Sequence, residues 1–134
     1  MKVRRSDELA VRSADDIVRA RQTVRSWAVE MRFSLVDQTK LVTAASELAR
    51  NMHVYGGGGK LRLEMLENGN RQGLRMTFED KGPGIADVEL AMKDGYSTGE
   101  GMGLGLGGAR RLVNEFELSS RVGEGTSVVA TKWK

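Results

Sequence analysis

Glu79-Asp80-Lys81-Gly82-Pro83-Gly84-Ile85 marks the place where a strand gives way to a turn almost free of side chains. Before it, residues 73–79 alternate Leu74, Met76 and Phe78 with polar neighbours, the period of a half-buried strand. At its centre an acidic dipeptide runs into two glycines that flank the single proline of the chain. An ordinary turn accounts for Asp80 alone but does not require both glycines. A flat ligand lying against the backbone does require the missing side chains. A carboxylate at that point can accept the exocyclic amine of adenine.

Working upstream, residues 60–67 alternate Leu61, Leu63 and Met65 with charged residues, and Asn68-Gly69-Asn70 supplies turn chemistry, so the two stretches form a hairpin. Ahead of them, Ser13 and Ser34 are serine N-caps before two amphipathic helices. Ile17, Ala20, Val24, Trp27 and Met31 keep helical spacing in the first, and Leu35, Leu41, Val42, Ala45, Leu48, Ala49 and Met52 in the second, which ends near Tyr55 before Gly56-Gly57-Gly58-Gly59. Residues 1–5 are expected to add an edge strand. Downstream, the pattern gives a short helix over 86–92, a glycine-rich lid over 94–103, a helix over 104–116, and closing strands at 117–122 and 126–133. The expected fold is a two-layer α/β sandwich, with helices on one face of a mixed, mostly antiparallel sheet, and residues 1–134 as a single domain.

Two further elements carry candidate chemistry. Glu47 and Asn51 stand four apart on the second helix, so a carboxylate and an amide oxygen share one face and can converge on a cation or a water. Hard oxygen ligands of that kind suit Mg2+, which keeps waters and phosphate oxygens in its shell. Residues 99–108 hold six glycines in ten positions and lead into a helix, a cradle of backbone N–H groups for phosphates. That run satisfies the dinucleotide fingerprint by spacing, but no strand precedes it and too little chain follows for a βαβ unit. Gly56-Gly57-Gly58-Gly59-Lys60 is no phosphate-binding P-loop, because Val54 and Leu61 stand where a glycine and a Ser or Thr are required.

Composition narrows the classes. The 134 residues are 40% hydrophobic and 29% charged, a balance suited to a folded domain. Without cysteine, thiolate chemistry and disulfides are excluded. The start of the chain is charged and no run approaches the ~18 apolar residues of a membrane span, so a cytoplasmic address with no membrane partner is expected. Residues 1–32 carry eight basic and five acidic groups, and the remainder thirteen of each, so the net charge of +3 sits at one end. With aromatics at 5%, this is not a nucleic-acid pattern. The basic face is expected to be solvated or to dock an acidic protein.

In order and spacing these elements resemble the N box and the two glycine boxes of the GHKL superfamily, the Bergerat-fold ATPases that include histidine kinase ATPase domains and gyrase. More narrowly, Ser46-Glu47-Leu48-Ala49-Arg50-Asn51, the segment 79–85, Asp94-Gly95-Tyr96-Ser97-Thr98 and Ala130-Thr131-Lys132-Trp133 are similar to stressosome serine/threonine switch kinases of the RsbT-like family. The resemblance implies that Glu47 orients or deprotonates the attacking group and Asn51 holds Mg2+. It implies that Asp80, Gly82, Gly84 and Ile85 meet the adenine, with Thr126 beside Asp80, and that Gly101, Met102, Gly103, Leu104 and Gly105 meet the phosphates of ATP. It further implies a STAS-domain substrate and a PP2C-type phosphatase partner. An anti-sigma factor with serine kinase activity and a non-catalytic binding module are the alternatives. His53, the one histidine, lacks the paired helices of a histidine kinase.

Overall fold

The computed structural model describes residues 1–92 and 105–134. Strands β1 (Lys2–Val11), β2 (Gly59–Asn68), β3 (Arg71–Asp80), β4 (Glu115–Arg121) and β5 (Gly125–Trp133) form one sheet in the order β1-β2-β3-β5-β4. Every ladder among the described residues is antiparallel, simpler than the mixed sheet expected. Helices α1 (Ala14–Glu30), α2 (Leu35–Gly56), α3 (Val88–Ala91) and α4 (Gly105–Arg110) complete the chain order. Both serine caps form: the Ser13 and Ser34 hydroxyls accept from the Asp16 and Asp37 N–H groups at 3.2 and 3.1 Å.

The hairpin register explains the core. Leu61 lies opposite Phe78, Leu63 opposite Met76, and Phe78 and Met76 opposite Val128 and Ala130, so one face of three strands is continuously apolar. Those residues join Leu41, Leu48 and Met52 of α2 and Val24 and Trp27 of α1 in one buried cluster. Fully buried alanines at 20, 28, 44, 45 and 49 keep the helix layer thin. Lys132 reaches the helix side of β5, where its ammonium lies 3.6 Å from Asp37 and donates to the Leu112 carbonyl at 3.2 Å. A cation only 7% exposed is tolerable there because it is paired.

Three elements differ from the sequence expectation. β1 runs ten residues rather than five; its first seven are exposed at the sheet edge, so no buried alternation announces them. The final helix stops at Arg110, where turn bonds from Leu112 and Val113 back to Ala109 and Arg110 end it, and Phe116 belongs to β4. Leu112, Val113 and Phe116 mimic helical spacing because all three pack on the core from a turn and a strand. The short helix contracts to Val88–Ala91, capped by Asp87, whose carboxylate accepts from the Leu90 N–H. The expected lid over 94–103 lies outside the described residues.

On the opposite face, Arg75 stands directly across from Glu64 and donates to it at 2.9 Å. That hydrogen bond, with the charges of Arg75 and Arg62, holds the Glu64 carboxyl below the ordinary glutamate range against the effect of its burial. A carboxylate lowered in this way contributes stability that is complete above the ordinary glutamate pKa and disappears as pH falls through the lowered value. Glu64→Gln should therefore unfold about 1 kcal/mol more easily at neutral pH, and the gap to wild type should close on acidification. Denaturant titrations at a series of pH values measure both; a constant gap would show that Glu64 contributes packing rather than charge.

Candidate functional site

The C-terminal half of α2 and the end of β3 face each other across a hollow of about 430 Å³. Glu47, Asn51, Asp80, Gly84, Ile85, Gly105 and Thr126, all singled out in the sequence, line it together. Gly82 does not. Its backbone lies against α2 instead, where an added Cβ would stand 2.6 Å from the Gly56 carbonyl oxygen. Gly101, Met102, Gly103 and Leu104 lie outside the described residues.

Asp80 owes its position to two backbone groups. Its Oδ1 accepts from the Gly82 N–H at 2.9 Å, a local turn bond that fixes the carboxylate as the strand ends. On its other side it rests directly on Gly56, where a Cβ would come within 2.4 Å of the carboxyl carbon. Among the described residues no other hydrogen bond reaches Asp80, so it retains acceptor capacity toward the hollow.

Across the β3–β5 ladder, Thr126 is the register partner of Asp80. Its hydroxyl pairs at 2.8 Å with Ser120 of β4, and the Ser120 oxygen also accepts from the Ile85 N–H at 2.7 Å. Ser120 thus links the turn after β3 to the last two strands. Gly84 completes that link with φ 78°, its Cα against the Arg121 carbonyl where a Cβ would be 2.2 Å away. Met52, Phe78, Leu106 and Val128 supply apolar wall.

Sequence reasoning missed several of these residues. Gly56 was readable only as a helix terminator, since nothing local shows which carboxylate rests on it. Ser120 gives no signal within an ordinary strand. Arg50 is the one cation among the described lining residues, against the carboxylates of Glu47, Asp80 and Asp87. A lining net negative in this way suits an anion that arrives with its own metal. Among the described residues no group of three or more His, Asp or Glu is placed to cage a metal, so Asn51 and Glu47 can only complete a shell supplied mainly by water and ligand oxygens. Acceptor, apolar walls and paired oxygen donors fit the adenine, sugar and metal-bound phosphate regions of ATP.

Comparison with known proteins agrees with this geometry. Residues 36–134 match the family model described as histidine kinase-, DNA gyrase B-, and HSP90-like ATPase. Over 118 residues the chain is 48% identical to the serine/threonine-protein kinase RsbT of Bacillus subtilis (strain 168), covering 88% of this chain and 89% of that protein. An anti-sigma F factor of Caldanaerobacter subterraneus is 30% identical over 124 residues, covering 85% of this chain and 82% of its own. A solved structure of RsbU and RsbW domains from Mycobacterium tuberculosis superposes with a TM-score of 0.65 at 20% identity, over 96% of this chain and 32% of that one; at such identity the likeness concerns the fold. Fold and family model agree: the chain belongs to the histidine kinase-, DNA gyrase B- and HSP90-like ATPase family.

Proposed function

We propose that residues 1–134 act as one Mg-ATP-dependent unit that transfers the terminal phosphoryl group of ATP to a serine or threonine of a protein partner. The chain is a serine/threonine-protein kinase. The observation that carries this reading is the convergence of Glu47 and Asn51 from one helix and Asp80 from a distant strand on one nucleotide-sized hollow, together with the identity to RsbT over most of both chains.

Each residue has a part that its position supports. Asp80 accepts the adenine amine, and Thr126 and Ile85, tied through Ser120, hold the adjoining wall. Gly84 and Gly82 let that wall approach closely, the first against Arg121 and the second against α2. Asn51 would hold Mg2+ through its amide oxygen, and the ion brought with ATP would supply neutralisation of the phosphate charge. Glu47, one helical turn away, accepts the proton of the attacking hydroxyl or orients it. Arg50 is the described side chain placed to offset phosphate charge. For Gly101, Met102, Gly103 and Leu104, which lie outside the described residues, and for Gly105, donation of backbone N–H groups to the phosphates is supported by the glycine-rich sequence and the family resemblance. Positioning and charge neutralisation suffice for this transfer, so no covalent nucleophile is needed.

The finer reading is that the substrate is a STAS-domain stressosome or antagonist protein and that the released kinase activates a PP2C-type phosphatase in the cytoplasm. No helix among the described residues is long and apolar enough to cross a membrane. The anti-sigma likeness supports an alternative in which the same kinase domain also clamps a sigma factor. A module without catalysis is disfavoured by the retained Glu47, Asn51 and Asp80.

Mixing the protein with Mg-ATP and a candidate STAS protein should place phosphate on a partner serine or threonine, while Asp80→Asn, which turns a donor toward the adenine amine, should weaken nucleotide binding roughly 10- to 100-fold. Tight sigma-factor binding without transfer to the STAS protein would favour the alternative, and wild type without nucleotide affinity would remove the kinase reading. Glu47→Ala should lower turnover roughly 100-fold or more with nucleotide affinity nearly intact; unchanged turnover would strip Glu47 of its role. Gly56→Ala should weaken nucleotide binding through the displaced Asp80 carboxylate, with little further loss when combined with Asp80→Asn. Full additivity in calorimetric titration would mean that Gly56 acts elsewhere.

A further inference from the structure

The α1–α2 hairpin presents a surface that the nucleotide hollow does not use. Arg21 and Arg25 stand one turn apart on α1, and Val18 and Val29 flank them on the same face. Arg32 in the connecting turn, then Leu35 and Val36 at the start of α2, follow in the chain and are exposed as well. Its apolar members are unusually open: Val18, Val29, Leu35 and Val36 are 45%, 54%, 72% and 64% exposed. One exposed valine needs no explanation, but four exposed apolar side chains interspersed with arginines along one helical hairpin make a candidate docking surface.

The arginines of the stripe, like Arg12, Arg50 and Arg110, form no ion pair among the described residues. Arg4, Arg19 and Arg75 each hold a carboxylate, whereas Arg21, Arg25 and Arg32 hold none among the described residues. Arg32 adds an independent observation. It is the one non-glycine residue with positive φ among the described residues, at 63°. It occupies the left-handed position of a Schellman turn, in which the Phe33 N–H bonds the Ala28 carbonyl and the Arg32 N–H bonds the Val29 carbonyl, each at 3.0 Å. Glycine is the ordinary occupant because a Cβ strains that conformation. Arginine there gives up stability and gains an exposed guanidinium at the joint of the hairpin.

We propose that this stripe docks an acidic amphipathic helix of a protein partner. Carboxylates of that helix pair with Arg21, Arg25 and Arg32, and its apolar spine covers Val18, Val29, Leu35 and Val36. A second copy of this chain is disfavoured as the occupant, because a two-fold contact would set arginines against arginines. A nucleic-acid backbone would use the charge but leave the four apolar side chains wet. The proposal is independent of the kinase reading, since the contact is measured without nucleotide.

The test uses the full chain and a fluorescein-labelled peptide of about 18 residues, long enough to be helical when bound, with leucines at helical spacing flanked by glutamates. A control peptide carries lysine at every glutamate position. Anisotropy should show saturable, salt-weakened binding of the acidic peptide and none of the basic one. Arg25→Glu should weaken binding roughly ten-fold or more. Arg32→Gly should weaken it several-fold while the melting temperature stays level or rises, a combination that a purely structural arginine would not produce. Failure of the acidic peptide to bind, equal binding of both peptides, or unchanged affinity in Arg25→Glu would overturn the proposal. So would Arg32→Gly that lowers the melting temperature and leaves binding untouched. A DNA duplex that binds as tightly and is lost in Arg25→Glu would make the stripe a polyanion site, and self-association abolished by the same variant would make it a dimer contact; either overturns it.

Discussion

The approach of the last turn of α2 to the end of β3 is the contact on which the hollow depends. Gly56 carries no side chain, so the Asp80 carboxylate rests on its backbone, and Gly82 closes the same contact from the next turn. The helix therefore ends against the strand end at backbone distance rather than at the usual side-chain spacing of a layered fold. Asn51 and Glu47 follow from this placement, because they lie about one and a half and two and a half turns back along a helix whose end is fixed. The opposite wall is set by the sheet. β5 inserts between β3 and β4 and thereby sets Thr126 across from Asp80.

A wall so dependent on backbone contacts is stiff on one side and apolar on the other. Ser120 bridges the Ile85 N–H, the Thr126 hydroxyl and the Gly125 carbonyl, which ties three chain segments through one oxygen. Of the polar groups facing the hollow, Asp80, Thr126 and Asp87 are held by hydrogen bonds of their own. Met52, Phe78, Leu106 and Val128 are among the residues that supply its apolar surface. A flat heterocycle gains burial against such walls and orientation from one carboxylate, and this division of labour is what a largely pre-formed ligand site requires.

Much of this was legible in the sequence, and the exceptions have physical reasons. The two serine caps, the central hairpin and the Asp80 turn carry local signals, since cap, turn and alternation are each encoded within a few residues. Glu47 and Asn51 were legible as a pair because helical spacing alone sets their common face. The extent of β1 was not, because an edge strand exposed along most of its length has no buried period to display. Leu112, Val113 and Phe116 misled for the converse reason: a turn followed by a strand can bury residues at helical spacing. Gly82 was read as clearance for a ligand, whereas the clearance serves α2. Close approach of two backbones leaves the same mark in a sequence whether the neighbour is a base or a helix. The family resemblance, carried by the boxes at 46–51 and 79–85, agrees with the matched family model.

α2 also relates the two surfaces of the molecule. Its 22 residues carry the apolar pair Leu35 and Val36 at one end and Glu47 and Asn51 toward the other, separated by about 20 Å at 1.5 Å per residue. The part of a helix seated on Leu35 and Val36 would therefore lie well away from Glu47 and Asn51. Such an arrangement separates recognition from chemistry. A partner held by the stripe raises the local concentration of its own hydroxyl near the phosphates, so the residues around the transferred group need little affinity for the acceptor sequence. The strained turn at Arg32 is consistent with that division, since it lies at the joint of the hairpin, away from Asp80 and the β3–β5 ladder. Its instability can be carried there without disturbing the geometry on which phosphoryl transfer depends.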